Sequence, residues 1–289
     1  MAPTELVLEF DEEFTIISSI LIFIGFICNL ILLICMIKDP LHIFRNPSSY
    51  LIINLAIADM ESCVAQLIFN GLLIVGQLDT ARLVFESGIT FFGPDVSFMC
   101  LLSLAIERYL CVTKPILYRV HFTGKKIVAL IAFIWFLHIA RVAGIIYSLK
   151  ADIVDIKDVK IITLFLHVVF ILFCLICNIA TMSHFNKTRA RELQEGTGNH
   201  APSARVRTQR RFVVTMVIIS SCLVVTIVPF TVLKFLTEVR DIPLPVEAIA
   251  IVQTFYIINF GINPALYFWR MPRYRKSIIA VLCCKKGNI

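Results

Sequence analysis

Seven apolar stretches, each long enough to cross about 30 Å of hydrocarbon as a helix, constrain this chain more than any other feature. They lie at roughly 14–37, 48–76, 85–113, 126–149, 160–184, 212–237 and 246–269. Lipid offers a backbone amide no hydrogen-bond partner, so only helices and closed barrels can span it. The sequence lacks the short alternating segments of barrel strands. The expected fold is therefore an all-α membrane protein, a seven-transmembrane helix bundle. With 58% hydrophobic and 16% charged residues and a mean hydropathy of +0.86, the chain stands well outside the soluble range.

Residues 1–13 form an outer amino terminus, 14–269 the spanning domain, and 270–289 an amphipathic stretch and tail. The first 13 residues carry Glu5, Glu9, Asp11, Glu12 and Glu13 without Lys or Arg. They lack the basic start of a cleaved signal, so the first span is expected to serve as its own insertion signal.

Loop charge sets the orientation. If the amino terminus is outside, most of the 27 Lys and Arg residues collect in inner segments, among them Arg108 to Lys126, Lys187 to Arg211 and Arg270 to Lys286. By the positive-inside rule the amino terminus is extracellular and the carboxyl terminus cytoplasmic. Inner basic loops facing anionic lipid account for the net charge of +7 without any nucleic acid. None of the ten cysteines falls in an outer segment, so no disulfide framework is expected. Cys283 and Cys284 beside Lys285 and Lys286 suit S-acylation at the membrane surface, with two unmodified thiols as the alternative.

Charges inside the spans are the candidates for function, because each costs several kcal/mol unless it faces protein or water. Asp59 falls in mid-membrane in span two, with Asn54 and Ala58 on nearly the same face. Asp95 in span three and Arg141 in span four read as the two charges left deep in the outer half, and are expected to pair across those helices. That pair is either architectural or reads a charged ligand. Glu107-Arg108-Tyr109 ends span three, and Asn29 in span one is expected to bond a neighbouring helix.

Gly25 and Asn29, Leu55-Ala56-Ile57-Ala58-Asp59, Glu107-Arg108-Tyr109, Trp135, Pro229 and Asn263-Pro264-Ala265-Leu266-Tyr267, in that order over seven spans, resemble the rhodopsin-like family of G-protein-coupled receptors. The resemblance implies a plasma-membrane receptor that binds an extracellular ligand and activates a heterotrimeric G protein by changing shape. Carried over residue by residue, it makes Arg108, flanked by Glu107 and Tyr109, the switch that meets the G protein. It makes Pro229 the kink on which span six swings, and Asn263, Pro264 and Tyr267 the rearranging end of span seven. It implies an allosteric sodium ion, and no other cofactor, in a polar network of Asn29, Asp59, Ser97, Asn259 and Asn263. A dry network with Asp59 protonated is the alternative. It also implies that Arg270 to Leu282 form a short amphipathic eighth helix.

The chain departs from the family's usual pattern in three places. Leu83 stands where the family has a disulfide cysteine, Thr226-Ile227-Val228-Pro229 replaces Cys-Trp-x-Pro, and span five lacks its proline. Thr90 occupies the place of the amine-pairing aspartate, which speaks against an amine held in that way, and span seven has no lysine for a retinal Schiff base. The candidate ligand pocket is Thr90, Asp95, His138, Arg141, His167, Lys234 and Gln253. The short outer loop before span five offers little lid, which favours a small or lipid-like ligand. The third inner loop, from about His184 to Gln209, reads as flexible from its Gly and Pro. Gln209 stands where some members carry an acid, so Arg108 is expected to pair mainly with Glu107. A non-signalling scaffold or dimer partner is the alternative function; a channel or transporter fits less well without an inverted repeat. No metal-spaced, phosphate-loop or nucleophile motif suggests an enzyme.

Overall fold

In the computed structural model, residues 12–42, 44, 46–81, 92–151, 156–194, 204–240 and 242–282 are described. Thr90, Leu83, Cys283 and Cys284 lie outside them, as does most of the acidic amino terminus. The helices are α1 (Glu12–Lys38), α2 (Pro47–Ile74), α3 (Phe92–Thr113), α4 (Pro115–His121), α5 (Gly124–Lys150), α6 (Ile156–Gln194), α7 (Ala204–Lys234), α8 (Val246–Arg270) and α9 (Pro272–Leu282). Six of them, α1, α2, α3, α5, α6 and α8, are long and apolar enough to cross a membrane. The seventh, α7, has a shorter apolar stretch, Val225–Thr237 among the described residues, and packs between α6 and α8.

Local sequence explains the start of α2. Asn46 sits in extended backbone and its side-chain oxygen accepts the Ser49 amide at 3.1 Å, while Pro47 takes the first helical position where no amide is needed. At the first inner turn Asp39 and His42 adopt positive φ, and the Asp39 carbonyl accepts the His42 amide at 3.0 Å.

The helices close into a ring in which α1 packs on α2 and α8, and α8 packs on α7. The centre is α3, which touches α2, α5, α6 and α7. Burial follows: 61% of the most apolar window of α2 is inside the bundle, against 6% for α5. The outward faces of α5 and α6 instead show Phe133, Phe136, Phe165 and Ile176, apolar surface suited to lipid.

Two seams close tightly at glycines. A Cβ on Gly261 would lie 3.2 Å from the Gly25 backbone, which lets α1 and α8 touch. A Cβ on Gly93 would lie 2.6 Å from the Ala58 carbonyl oxygen and closer still to Glu61 Oε2 and Ser62 Oγ, which fixes α3 on α2.

The structure corrects the reading of the inner loops. The third inner loop is helical along most of the stretch read as flexible, because α6 continues to Gln194 and α7 begins at Ala204. Thr188 to Gln194 and Ala204 to Arg211 are rich in Arg, Ala, Gln and Leu and hold no Gly or Pro, so propensity favours helix there. Gly196, Gly198 and Pro202 lie outside the described residues. The loop after α3 contains α4, with Pro115 at its first position. The helix after span seven is α9, held by stacking of Tyr274 on Tyr267 (5.5 Å between rings) and by Phe44 of the first inner loop against Tyr274 (4.7 Å).

Candidate functional site

Three polar clusters are stacked through the bundle. The innermost is built on Glu107, which is fully buried, and Arg108 beside it in α3. Arg108 donates from Nε and Nη2 to the Glu107 carboxylate and from Nη2 to Ser48 Oγ of α2. Ser48 Oγ in turn donates to Glu107 Oε1 at 3.0 Å, and Tyr118 of α4 donates its hydroxyl to the same oxygen. Burial, and then the Glu107 carboxylate, push the Tyr118 phenol well above the usual tyrosine range. From α7 the Phe212 ring covers the guanidinium, 4.4 Å from its centroid. Tyr109 stands half-buried next to this group, and the Gln209 side chain lies outside what is described.

The middle cluster centres on Asp59. Its two oxygens accept Ser97 Oγ of α3 at 2.7 Å and Asn263 Nδ2 of α8 at 2.9 Å. Asn259 is buried one turn before Asn263. Asn29 does not join Asp59; its amide donates to the Phe260 carbonyl at 2.7 Å and to the Gly25 carbonyl at 3.0 Å. The reason is Pro264, which has no N–H to give the Phe260 carbonyl four residues before it. That oxygen is left open, and Asn29 fills it across the α1–α8 seam. Next to the cluster, Asn54 accepts Trp135 Nε1 at 2.7 Å and donates to Cys100 Sγ at 2.6 Å, tying α2, α3 and α5.

The outer cluster contains the pair expected from the sequence and more. Arg141 Nη2 donates to Asp95 Oδ2, and His167 of α6 lies with Nε2 2.6 Å from Asp95 Oδ1. His138, one turn from Arg141 on α5, meets the Phe92 ring edge-on with centroids 6.3 Å apart, and its Nδ1 is buried without a partner. The other pocket candidates lie apart. Lys234 ends α7 over the Phe230 ring at 5.6 Å, and Gln253 lines a small cavity between α1, α2 and α8 with Ser18, Gln66 and Asn70. Pro229 lies inside α7, which passes into a π-turn at Phe235–Val239.

The match to known proteins follows this architecture. The family model described as 7 transmembrane receptor (rhodopsin family) matches residues 28–267. This chain is a rhodopsin-family receptor. The receptor is 29% identical over 136 residues to 5-hydroxytryptamine receptor 7 of Xenopus laevis, which covers 45% of this chain and 28% of that one. It is 30% identical over 92 residues to adenosine receptor A2b of Gallus gallus, 32% of this chain and 27% of that one. It is 29% identical over 121 residues to rhodopsin of Alligator mississippiensis, 40% of this chain and 33% of that one. The matched part thus spans about a third or less of these relatives' length. As a receptor of this family with six helices fit to cross a bilayer, it is a multi-pass membrane protein.

Three contributors were missed by sequence reasoning. Phe212 and Tyr118 reach Arg108 and Glu107 from other helices, and no motif spacing points to them. Glu61 corrects the count of deep outer charges, which the sequence reading had as Asp95 and Arg141 alone. It lies in α2 two residues after Asp59, accepts the Gly93 amide, and has its Oε2 buried without a partner. In the sequence the acid stands in span two, two positions from Asp59 and so on a different face of the helix.

Proposed function

We propose that this receptor, with its amino terminus outside the plasma membrane, responds to an extracellular ligand by promoting nucleotide exchange on a heterotrimeric G protein. It would do so by moving helices, with no chemistry of its own. The observation that carries the reading is the dress of Arg108. Its charge is held by Glu107 and Ser48, while α7 contributes only the aromatic cover of Phe212. No acid on α7 among the described side chains pairs with it, so outward movement of α7 would uncover the guanidinium by breaking a ring contact rather than an ion pair. The basic flanks of α6 and α7 would complement an acidic partner surface.

Asp59, Ser97, Asn259 and Asn263 offer a carboxylate, a hydroxyl and amide oxygens, a set that fits a small hard cation such as sodium. A bound ion would supply the counter-charge Asp59 lacks. One relative is named for 5-hydroxytryptamine and another for adenosine, so the comparisons favour no single ligand.

The test is nucleotide exchange on a panel of purified G proteins by the receptor in nanodiscs, beside Arg108→Ala. Exchange that depends on Arg108 supports the proposal. Folded receptor that drives no exchange, with or without a small-molecule library, would instead favour a non-signalling scaffold.

A further inference from the structure

Where α2 and α5 begin, an open cleft of about 710 Å³ lies between them, lined by Tyr50 of α2, by Thr123, and by Gly124, Lys125 and Val128 of α5. That size falls within the roughly 300–1,000 Å³ of pockets that hold small molecules. The two walls meet at Gly124. A Cβ there would lie 3.2 Å from the Tyr50 ring and 3.8 Å from its hydroxyl oxygen, so the phenol is set against the first residue of α5. The cleft is at the Arg108 end of the bundle, because α4 joins that end of α3 to the start of α5.

The polar lining is a set of donors without acceptors. The Tyr50 hydroxyl, the Thr123 hydroxyl and the Lys125 ammonium have no side-chain partner among the described residues, and Thr123 does not cap the helix it precedes. The surrounding charge has one sign. Lys126 follows Lys125, α4 ends in Arg119 and His121, and the first turns of α2, α4 and α5 hold no acid. Glu107, at the same end of α3, is already taken by Arg108, Ser48 and Tyr118. Beyond the polar lining the walls turn aliphatic: Val128 is 51% exposed, and Ile57, two turns along the same face of α2 from Tyr50, is 41% exposed. Two hydroxyls and an ammonium suit a phosphate, and the exposed aliphatic track suits an acyl chain. The unanswered cations decide the head group, since a zwitterionic head would bring its own ammonium among the lysines.

We propose that this cleft seats an anionic phospholipid of the inner leaflet, its phosphate on Tyr50, Thr123 and Lys125 and an acyl chain along Val128 and Ile57. The lipid braces α5 against α2 on the flank where protein holds α5 least, for only 6% of its most apolar window is inside the bundle. The cytoplasmic leaflet is the one rich in anionic lipid. The leaflet's name rests on the orientation proposed above, but the binding does not. Diffuse attraction between basic loops and anionic lipid needs no particular residue, whereas a seated lipid needs these.

The experiment is photo-crosslinking of the purified receptor in phosphatidylcholine nanodiscs that contain a little phosphatidylserine with a diazirine on one acyl chain, the labelled peptides being mapped by mass spectrometry. Label is expected on the Tyr50 to Ile57 stretch of α2 and the Gly124 to Ile131 stretch of α5. It should exceed label from the matching phosphatidylcholine probe about fivefold or more, and unlabelled phosphatidylserine should compete it away. Lys125→Gln combined with Tyr50→Phe should lower it about fivefold or more, while Lys276→Gln, the same charge lost on α9, should leave it unchanged. Lys125→Gln alone, at an exposed position, serves as the readout if the double variant does not fold. Equal label from the two probes means an ordinary lipid annulus and overturns the site. An equal loss in Lys276→Gln overturns it in favour of diffuse attraction. Displacement by cholesterol or inorganic phosphate but not by phosphatidylserine overturns it by giving the cleft another occupant. Both leaflets of a nanodisc carry the probe, so the result is independent of orientation. Arg108-dependent exchange on the same preparations separates the two claims: labelling without exchange sinks the receptor reading alone, and exchange without labelling sinks this site alone.

Discussion

Removing the Asn29 side chain tests whether α1 is strapped to α8 by a defect in the latter's own backbone. Asn29→Ala deletes two donated bonds, to Phe260 and Gly25 carbonyls at 2.7 and 3.0 Å. The Gly25 oxygen keeps its helical partner, so that loss is small. The Phe260 oxygen lacks its usual helical donor, because Pro264 stands where that amide belongs. Interhelical bonds in membranes are worth about 0.6 to 1.7 kcal/mol, and a buried carbonyl left open adds to the loss, giving about 1 to 2 kcal/mol. For a chain of this size that is a fall of roughly 2–6 °C in the melting temperature. The decisive form is a double-mutant cycle with Pro264→Ala, which restores an amide to the Phe260 carbonyl. In that background Asn29→Ala should cost almost nothing, a coupling of about 1 kcal/mol. Unfolding is followed in nanodiscs by the accessibility of the buried cysteines. An Asn29→Ala penalty of equal size in both backgrounds would refute the reasoning.

Other outcomes follow from the same geometry. Gly93→Ala should lower the yield of folded receptor and its stability by about 1–3 kcal/mol, since the added methyl would meet the Glu61 and Ser62 side chains and also lie 2.6 Å from the Ala58 carbonyl oxygen, which as backbone cannot turn aside. Gly261→Ala, with a 3.2 Å contact, should cost less, and equal effects in melting experiments would contradict the difference in space. Asp95→Asn strands the Arg141 guanidinium and should destabilise by up to about 3 kcal/mol, while adding Arg141→Gln should recover part of the loss. The Tyr118 phenol is raised in the folded chain, so its stabilising bond to Glu107 is fully present below the ordinary tyrosine value of about 10 and fades as pH rises through the raised one. Tyr118→Phe should therefore flatten the alkaline loss of stability and remove one late-titrating tyrosine from the ultraviolet titration.

What the sequence made legible follows from where the information lies. Apolar length gave the spans, and the cost of burying a lone charge was enough to pair Asp95 with Arg141. Arg108 beside Glu107 needed only adjacency. The unread parts depend on contacts between residues far apart in the chain. Phe212 reaches Arg108 through the packing of α7 on α3, and Tyr118 reaches Glu107 because α4 folds back under α3. Asn29 was expected to bond a neighbouring helix, and it does so at the Phe260 carbonyl, 231 residues along the chain, which Pro264 four residues further on leaves without its helical amide. The helical extensions of α6 and α7 were missed because the Gly and Pro between them were allowed to speak for the whole loop, whereas propensity acts residue by residue.

The glycine contact between α1 and α8 bears on which way the molecule can move. Two helices whose backbones touch, with an amide strap across the contact, behave as one rigid post, since sliding either would break the strap and any separation would open a void. A barrel of staves with one joint glued gives way at another. The joint between α3 and α7 is held at its inner end by a ring against a cation, and α7 is further weakened by Pro229 and the π-turn above it. The joint beside Arg108, on the stave that neighbours the post, is therefore the one with least to hold it.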